Sequence, residues 1–115
     1  MILITGATGF VGRNLLEKLS KRPIRCLVKD KSSLGKNIEI VRGNLTDLKS
    51  LDEATKNISI VIHLAAIIKS KNKEEFKKIN AEGTRNLVNA SKKNGVKKFI
   101  YISSSDVIFK KSDYA

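Results

Sequence analysis

Short apolar runs alternate along the chain with longer stretches whose apolar residues are spaced three or four positions apart. The short runs, rich in Ile, Leu and Val, predict buried strands at residues 1–4, 24–28, 38–41, 58–64 and 99–102. The longer stretches predict helices at residues 14–21, 46–55 and 73–94, with Thr46 capping the second and Gly95 ending the third. Such alternation is typical of an α/β fold, in which helices cover both faces of a parallel sheet of about five strands.

The first predicted strand runs directly into a glycine-rich segment, residues 5–12, with the sequence TGATGFVG. Gly6 allows a sharp turn out of the strand, and Gly9 lets backbone approach a phosphate without a Cβ in the way. Gly12 allows the next helix to pack closely on the sheet, with its free N-terminal amides and positive dipole end facing an anion. Because strand, glycine turn and helix follow in this order, the segment predicts the pyrophosphate site of a Rossmann-type, doubly wound domain.

Ligands of doubly wound sheets bind beyond the carboxyl ends of the strands, so the loops after the predicted strands should face one cleft. Lys29 follows the second strand, where NAD-preferring domains carry an acid that accepts hydrogen bonds from the ribose hydroxyls. A cation at this position suits the 2′-phosphate of NADP. Asp30 comes next and leaves NAD possible, so the sequence favours NADP over NAD.

Further polar residues follow the later strands. Asn44 could accept a hydrogen bond from the adenine amino group, while Asp47 is better suited to capping or charging the following helix. His63 lies within an apolar strand, which indicates a hydrogen-bonded core histidine rather than a base or a metal ligand. Ser105 ends a run of three serines that could hydrogen-bond a substrate carbonyl. Tyr114 could donate a proton if a nearby cation lowered its pKa.

The charge of the chain raises the question of nucleic-acid binding. The 115 residues fit one domain and carry a formal net charge of +12, and a basic face attracts phosphate backbones. The lysines, however, are spread over predicted helix ends and loops, and the few aromatic residues do not alternate with them. The pattern favours a solvated, lysine-rich surface without a specific nucleic-acid site. A basic nucleic-acid-binding protein is the less favoured alternative.

Cysteine content and hydropathy indicate the cellular compartment of the protein. The single cysteine, Cys26, excludes an internal disulfide framework, suits a reducing compartment and is expected to be a core residue. No apolar run approaches the ~20 residues of a membrane span, and a strand that starts at Met1 leaves no room for a signal peptide. With one histidine and one cysteine, no metal site is expected. These features predict a cytoplasmic protein.

Five segments of the chain resemble, in order, the extended short-chain dehydrogenase/reductase family, which includes nucleotide-sugar epimerases, dehydratases and reductases. They are residues 5–12 (TGATGFVG), 43–47 (GNLTD), 63–66 (HLAA), 80–87 (NAEGTRNL) and 99–105 (FIYISSS). The resemblance implies that residues 1–115 form an NAD(P)-binding Rossmann domain, apparently truncated, without the substrate domain. It also implies a small-molecule substrate in the full-length parent, and the protein could form a homo-oligomer.

The resemblance assigns the parts of the cofactor to individual segments. It implies that backbone amides of residues 9–11 hold the pyrophosphate and that residues 64–66 line the nicotinamide ribose. It further implies that Asn44, in place of the family's usual aspartate, and Leu45 lie by the adenine. The complete set of candidate cofactor-binding residues is Gly6, Gly9, Phe10, Val11, Gly12, Lys29, Asn44, Leu45, Leu64, Ala65, Ala66, Asn80 and Ser103.

Catalytic candidates also come from the resemblance. Asn80 is similar to the helix asparagine that supports the active site, and Ser105 to the family's active-site serine, with Ser104 as the fallback. Tyr114 resembles the tyrosine that opens the Tyr-x-x-x-Lys motif, whose lysine would follow Ala115.

Two interpretations follow from a sequence that ends inside this motif. In the favoured one, the chain is the amino-terminal part of an NAD(P)-dependent oxidoreductase, epimerase or dehydratase. That parent would act on a sugar nucleotide or another secondary alcohol or ketone, and this part would be inactive by itself. In the alternative, the chain is a non-catalytic, NADP-binding sensor module.

Overall fold

The computed structural model describes residues 1–7, 10–19, 21–29, 34–35, 37–65, 73–103 and 108–113. These ranges contain strands β1 (Ile2–Thr5), β2 (Ile24–Val28), β3 (Ile38–Arg42), β4 (Ile60–Ala65), β5 (Lys98–Ser103) and β6 (Ile108–Asp113). They also contain helices α1 (Phe10–Lys18), α2 (Leu48–Thr55) and α3 (Lys73–Lys93). Every predicted strand and helix is present, with ends shifted by a few residues.

The strands form one sheet in the order β3-β2-β1-β4-β5-β6. The strands from β1 to β5 run parallel, so their carboxyl ends share one edge. The chain builds outward from β1 to β3 and then crosses back to place β4 on the other side of β1. This reversal is the topological switch of a doubly wound sheet, and it confirms the predicted Rossmann-type architecture.

Strand β1 shows why the central strands are apolar throughout. Ile4 belongs to one buried core with Leu16 of α1, whereas Leu3 belongs to a second core with Leu51 of α2 and Leu87 of α3. Successive side chains of a strand point to opposite faces, so a strand covered on both sides has no polar face. The helices therefore cover both faces, as the sequence predicts.

Strand β6 was not predicted. It pairs antiparallel with β5 at the edge of the sheet. Its sequence, IFKKSD, is apolar only in the first two positions. An edge strand does not need the continuous apolar pattern of a central strand, so pairing with β5 rather than hydropathy defines this segment.

The start of α2 corrects one predicted cap. Asp47 is the N-cap residue, and its side chain accepts a hydrogen bond from the N–H of Ser50 at 3.3 Å. Thr46, predicted as the cap, instead donates from its N–H and its hydroxyl to Oδ1 of Asn44. The prediction of Thr46 as the cap was wrong because the asparagine binds Thr46 in a local side-chain turn before the helix begins. The capping role that the sequence also allowed for Asp47 is confirmed.

The end of α3 confirms the predicted stop at Gly95. This glycine has φ of +75°, and its N–H donates to the carbonyl of Lys92 at 3.3 Å. The N–H of Val96 donates to the carbonyl of Ser91 at 2.9 Å. The pair of bonds is a Schellman motif, in which a left-handed glycine lets the chain satisfy the last helical carbonyls.

Arg25 connects β2 with the carboxyl end of α2. Its Nη1 donates to the carbonyl oxygens of Ala54 at 2.9 Å and Lys56 at 2.6 Å, and its Nε pairs with Glu39 at 3.1 Å. The arginine is only 8% exposed. Its guanidinium therefore satisfies carbonyls that the helix end leaves without an intrahelical donor, and it complements the negative end of the helix dipole.

We expect Arg25→Met to lower the free energy of unfolding by about 2–3 kcal/mol, because carbonyls at a buried helix end would lose a charged donor. Urea unfolding followed by far-ultraviolet circular dichroism measures this loss. Glu39→Gln is the control: its side chain is 50% exposed, so we expect a loss below about 1 kcal/mol. Equal losses in the two variants would contradict the capping role of Arg25.

Candidate functional site

The carboxyl ends of the parallel strands bring predicted cofactor residues to one edge of the sheet. Gly6 follows β1, Lys29 follows β2, Asn44 and Leu45 follow β3, and Leu64 lies near the end of β4. The topological switch between β1 and β4 lies in the middle of this edge. The arrangement matches the general location of ligand sites in doubly wound sheets.

Gly6 is in backbone contact with β4. A Cβ placed on Gly6 would lie 2.4 Å from the carbonyl oxygen of Leu64, and φ of Gly6 is +76°. Both the space and the conformation therefore require glycine. Gly6, which the sequence predicts to allow a sharp turn out of β1, thus lies close to β4 at the switch point.

The first turn of α1 packs against that same turn. The helix begins at Phe10, earlier than predicted, so the end of the glycine-rich segment is helical. A Cβ on Gly12 would lie 2.5 Å from Cα of Ala7, which explains the glycine. The first turn carries no acidic side chain, and the amides and positive dipole end of a helix N-terminus attract anions.

Residues 43–47 connect β3 with α2 and are here named the adenine loop, because the sequence predicts an adenine contact there. Oδ1 of Asn44 accepts from Thr46 N–H at 2.8 Å and from the Thr46 hydroxyl. These two bonds occupy the oxygen that the sequence assigned to the adenine amino group. The amide nitrogen of Asn44 has no partner in the part of the chain that the structure describes, so this nitrogen is available as a hydrogen-bond donor.

Three other predicted cofactor residues also lie at or near this edge. Lys29 is exposed directly after β2, where the predicted 2′-phosphate would lie. Ala65 and Ser103 are register partners at the ends of β4 and β5.

The predicted site is described only in part. Asn80 is half-buried on α3 and lines a groove of about 480 Å³ with Thr84, Val88 and Tyr101. Five predicted residues lie outside the described ranges. They are Gly9, Ala66, Ser104, Ser105 and Tyr114.

His63 is a hydrogen-bonded core residue, as its apolar surroundings in the sequence indicate. It is 2% exposed, its Nδ1 bonds the hydroxyl of Thr5, and its Nε2 bonds the hydroxyl of Thr84 at 3.0 Å. Burial lowers the pKa of His63 to about 4, so the ring is neutral, with one donor and one acceptor nitrogen. The imidazole thereby connects the residue before Gly6 with α3, a role that the sequence did not reveal.

The buried imidazole makes stability depend on pH. In the unfolded chain a histidine has a pKa of ~6.5, whereas burial lowers that of His63 to about 4. Between these values only the unfolded state binds the proton, so stability falls as the pH is lowered through this range. We expect the free energy of unfolding to decrease by about 2 kcal/mol between about pH 7.5 and about pH 5, measured by urea unfolding.

His63→Gln is the control for this pH dependence, since it retains hydrogen-bonding capacity without a titrating ring. Its stability should stay nearly constant over the same interval. The hydrogen bond from Asn94 and then that from Lys93 lower the pKa of Asp52 below its ordinary 3.8, so Asp52 titrates outside this interval. An equally steep decrease in His63→Gln would show that another group is responsible.

Cys26 is a buried core residue. Burial raises the pKa of Cys26 to about 11, so its side chain is an uncharged thiol in the core, as expected from its position in an apolar strand. In the described ranges, no three His, Cys, Asp or Glu side chains lie close enough to hold a metal ion.

Within the same ranges, no helix has the length and apolarity needed to cross a membrane.

The strand order and the glycine turn define a Rossmann-type domain, and comparison with known proteins gives its family. Residues 2–113 match the NAD dependent epimerase/dehydratase family, and the chain belongs to this family. The resemblance inferred from the five sequence segments is thereby confirmed.

Individual relatives match the chain over nearly its whole length. It is 34% identical to the ceramide reductase of Caulobacter vibrioides, over 90% of this chain and 34% of that protein. It is 36% identical to the UDP-N-acetyl-alpha-D-glucosaminuronate decarboxylase of Bacillus cytotoxicus, over 91% of this chain and 36% of that protein. The chain thus spans about a third of the length of these curated relatives.

A solved structure shows the same fold. A short-chain dehydrogenase/reductase superfamily protein from Agrobacterium tumefaciens, crystallised with bound NAD, matches with a TM-score of 0.74 and 34% identity. The match covers 90% of this chain and 32% of that one.

Proposed function

We propose that this chain is the dinucleotide-binding part of a longer NAD(P)-dependent oxidoreductase, epimerase or dehydratase. The contact of Gly6 with the Leu64 carbonyl at the topological switch is the observation that carries the proposal. The turn has no side chain at Gly6, and it leads into the N-terminus of α1. Dinucleotide-binding domains bind the pyrophosphate at such a turn. The chain spans only about a third of the length of these two relatives, which supports a longer parent protein.

The proposed cofactor lies along the carboxyl edge of the strands. Amides of residues 9–11 hold the pyrophosphate, Asn44 and Leu45 contact the adenine, and residues 64–66 with Ser103 line the nicotinamide half. The glycine contacts and the acid-free first turn of α1 support the pyrophosphate position. Because Oδ1 of Asn44 is engaged by Thr46, its contact with the base uses the amide nitrogen as a donor to a ring nitrogen.

We further propose that the cofactor is NADP, on the basis of the exposed cation Lys29 at the end of β2. Lys29→Ala should weaken NADPH binding about tenfold, the loss of one charge-assisted contact of about 1.4 kcal/mol, and leave NADH binding nearly unchanged. Titration of the chain with each nucleotide, followed by nicotinamide fluorescence, measures both affinities.

Lys97→Ala is the matched control, because Lys97 is an exposed lysine before β5, at the opposite edge of the sheet. It should alter neither affinity at moderate ionic strength. Equal effects of Lys29→Ala on NADPH and NADH would contradict a 2′-phosphate contact. A folded chain that binds neither nucleotide would contradict the proposal that this part of the protein suffices for cofactor binding.

The chemistry proposed for the parent protein uses two residues near the end of the sequence, Ser105 and Tyr114. When bound, the cofactor supplies a hydride acceptor or donor for a sugar nucleotide or another secondary alcohol or ketone. Ser105 would hydrogen-bond the substrate oxygen, Tyr114 would exchange its proton, and Asn80 would support the site from α3. The 115-residue chain alone would bind cofactor without turnover.

Tyr114→Phe in that longer protein should lower kcat by about 10²–10⁴-fold, because the variant has no phenolic proton to exchange. Cofactor affinity should change little, and steady-state kinetics with a separate cofactor titration checks both. Tyr101→Phe is the matched control, since Tyr101 lies in β5 with its ring 5.5 Å from that of His63. Turnover retained in Tyr114→Phe, or lost equally in Tyr101→Phe, would remove Tyr114 from the mechanism.

The cytoplasmic location and the homo-oligomer stay predictions. A single buried thiol, Cys26, supports a reducing compartment.

A further inference from the structure

Helix α3 contacts the adenine loop from the side of the second core. Nδ2 of Asn86 donates to the carbonyl oxygen of Leu45 at 2.9 Å. Both residues are half-buried. The bond joins residues far apart in the sequence, so it is a tertiary contact between the helix and the loop.

Gly83 provides the second contact between α3 and the loop. A Cβ on Gly83 would lie 2.8 Å from Cβ and 3.0 Å from Cδ1 of Leu45. Glycine inside a helix costs about 1 kcal/mol relative to alanine, and Gly83 occupies a buried position in the middle of α3. The close approach of Leu45 is the feature of the structure that accounts for a glycine there.

The rest of the adenine loop is held by its own residues and by α2. Asn44 accepts from Thr46, and the hydroxyl of Ser50 donates to the carbonyls of Asn44 at 3.3 Å and Asp47 at 2.8 Å. Leu45 is the exception, because its side chain and its carbonyl are both held by α3. The middle of the loop therefore depends on a helix that lies outside the predicted adenine contacts.

We propose that Asn86 and Gly83 are positioning residues that fix the adenine loop in its base-binding conformation. This inference rests on the proposed cofactor site, where Asn44 and Leu45 contact the adenine. With Leu45 held at its carbonyl and its side chain, the backbone of Leu45 and the peptide between Leu45 and Thr46 have a defined orientation. A base that enters the site meets groups that are already placed, which lowers the entropy lost on binding.

Asn86→Ala tests the hydrogen bond, and Asn94→Ala is its matched control. Asn94 is also an asparagine of the α3 region, and its Nδ2 donates to the Asp52 carbonyl at 3.1 Å and to the Thr55 hydroxyl at 2.8 Å. It makes the same kind of bond from helix to helix, away from the adenine loop. Asn94 also donates to Oδ1 of Asp52, so Asn94→Ala should cost at least as much stability as Asn86→Ala. A change in binding that only Asn86→Ala shows therefore reports on the loop.

The readout is the ratio of two dissociation constants, for NADPH and for its analogue with hypoxanthine in place of adenine. We expect the wild-type chain to prefer adenine, and Asn86→Ala to lower that preference about fivefold, the factor that corresponds to about 1 kcal/mol. The ratio between NADPH and NADH should stay the same in Asn86→Ala, because it reports on the 2′-phosphate. Asn94→Ala should leave both ratios unchanged.

Amide hydrogen exchange of residues 43–47 in the chain without nucleotide gives an independent measurement. It should become faster in Asn86→Ala than in Asn94→Ala, because only the first variant frees the Leu45 carbonyl. Gly83→Ala should also lower the preference for adenine, since the added Cβ must displace Leu45, although alanine favours the helix. This second variant keeps the test valid if Asn86→Ala folds poorly.

The outcomes separate the inference from the proposed function. If the chain binds NADPH but does not discriminate between the bases, or if Asn86→Ala leaves discrimination and loop exchange unchanged, the positioning role is wrong and the cofactor site stands. If the folded wild-type chain binds no nucleotide while loop exchange still responds to Asn86→Ala, the proposed function fails. Asn86 then has a structural role only.

Discussion

The close backbone approach of Gly6 to the Leu64 carbonyl is the constraint on which the site depends. It occurs at the carboxyl ends of the two central strands, β1 and β4, and a side chain at Gly6 would prevent it. Ala7 also lies against Gly12, so the end of β1 and the first turn of α1 are packed closely together. Backbone N–H groups at a helix N-terminus can bind an anion without any charged side chain.

Helix α3 supports this edge at two points through different chemistry. Thr84 bonds His63, which bonds Thr5 directly before the glycine turn. One turn of the same helix also holds Leu45, through the absence of a side chain at Gly83 and the amide of Asn86. The end of β1 and the loop of residues 43–47 are therefore positioned by a packed helix, which limits how far they can move independently.

Much of the fold could be read from the sequence because burial on both faces leaves a strong pattern. Continuous apolar runs indicated the central strands, and the glycine spacing indicated the turn and the helix after it. The two features that the sequence did not predict correctly, the cap of α2 and strand β6, have local physical causes. The cap moved from Thr46 to Asp47 because Asn44 binds Thr46, and β6 lacks the apolar pattern because it is an edge strand.

The sequence by itself determined the order of strands and helices, the location of the glycine turn and the family to which the chain belongs. These features depend on short-range patterns of hydropathy and of glycine. Only the tertiary structure decided which atoms form hydrogen bonds with His63 and that Asn86 holds the carbonyl of Leu45. Contacts between His63 and Thr5 or between Asn86 and Leu45 join distant parts of the chain. No local pattern encodes them, because they exist only when the packed sheet and helices bring the partners together.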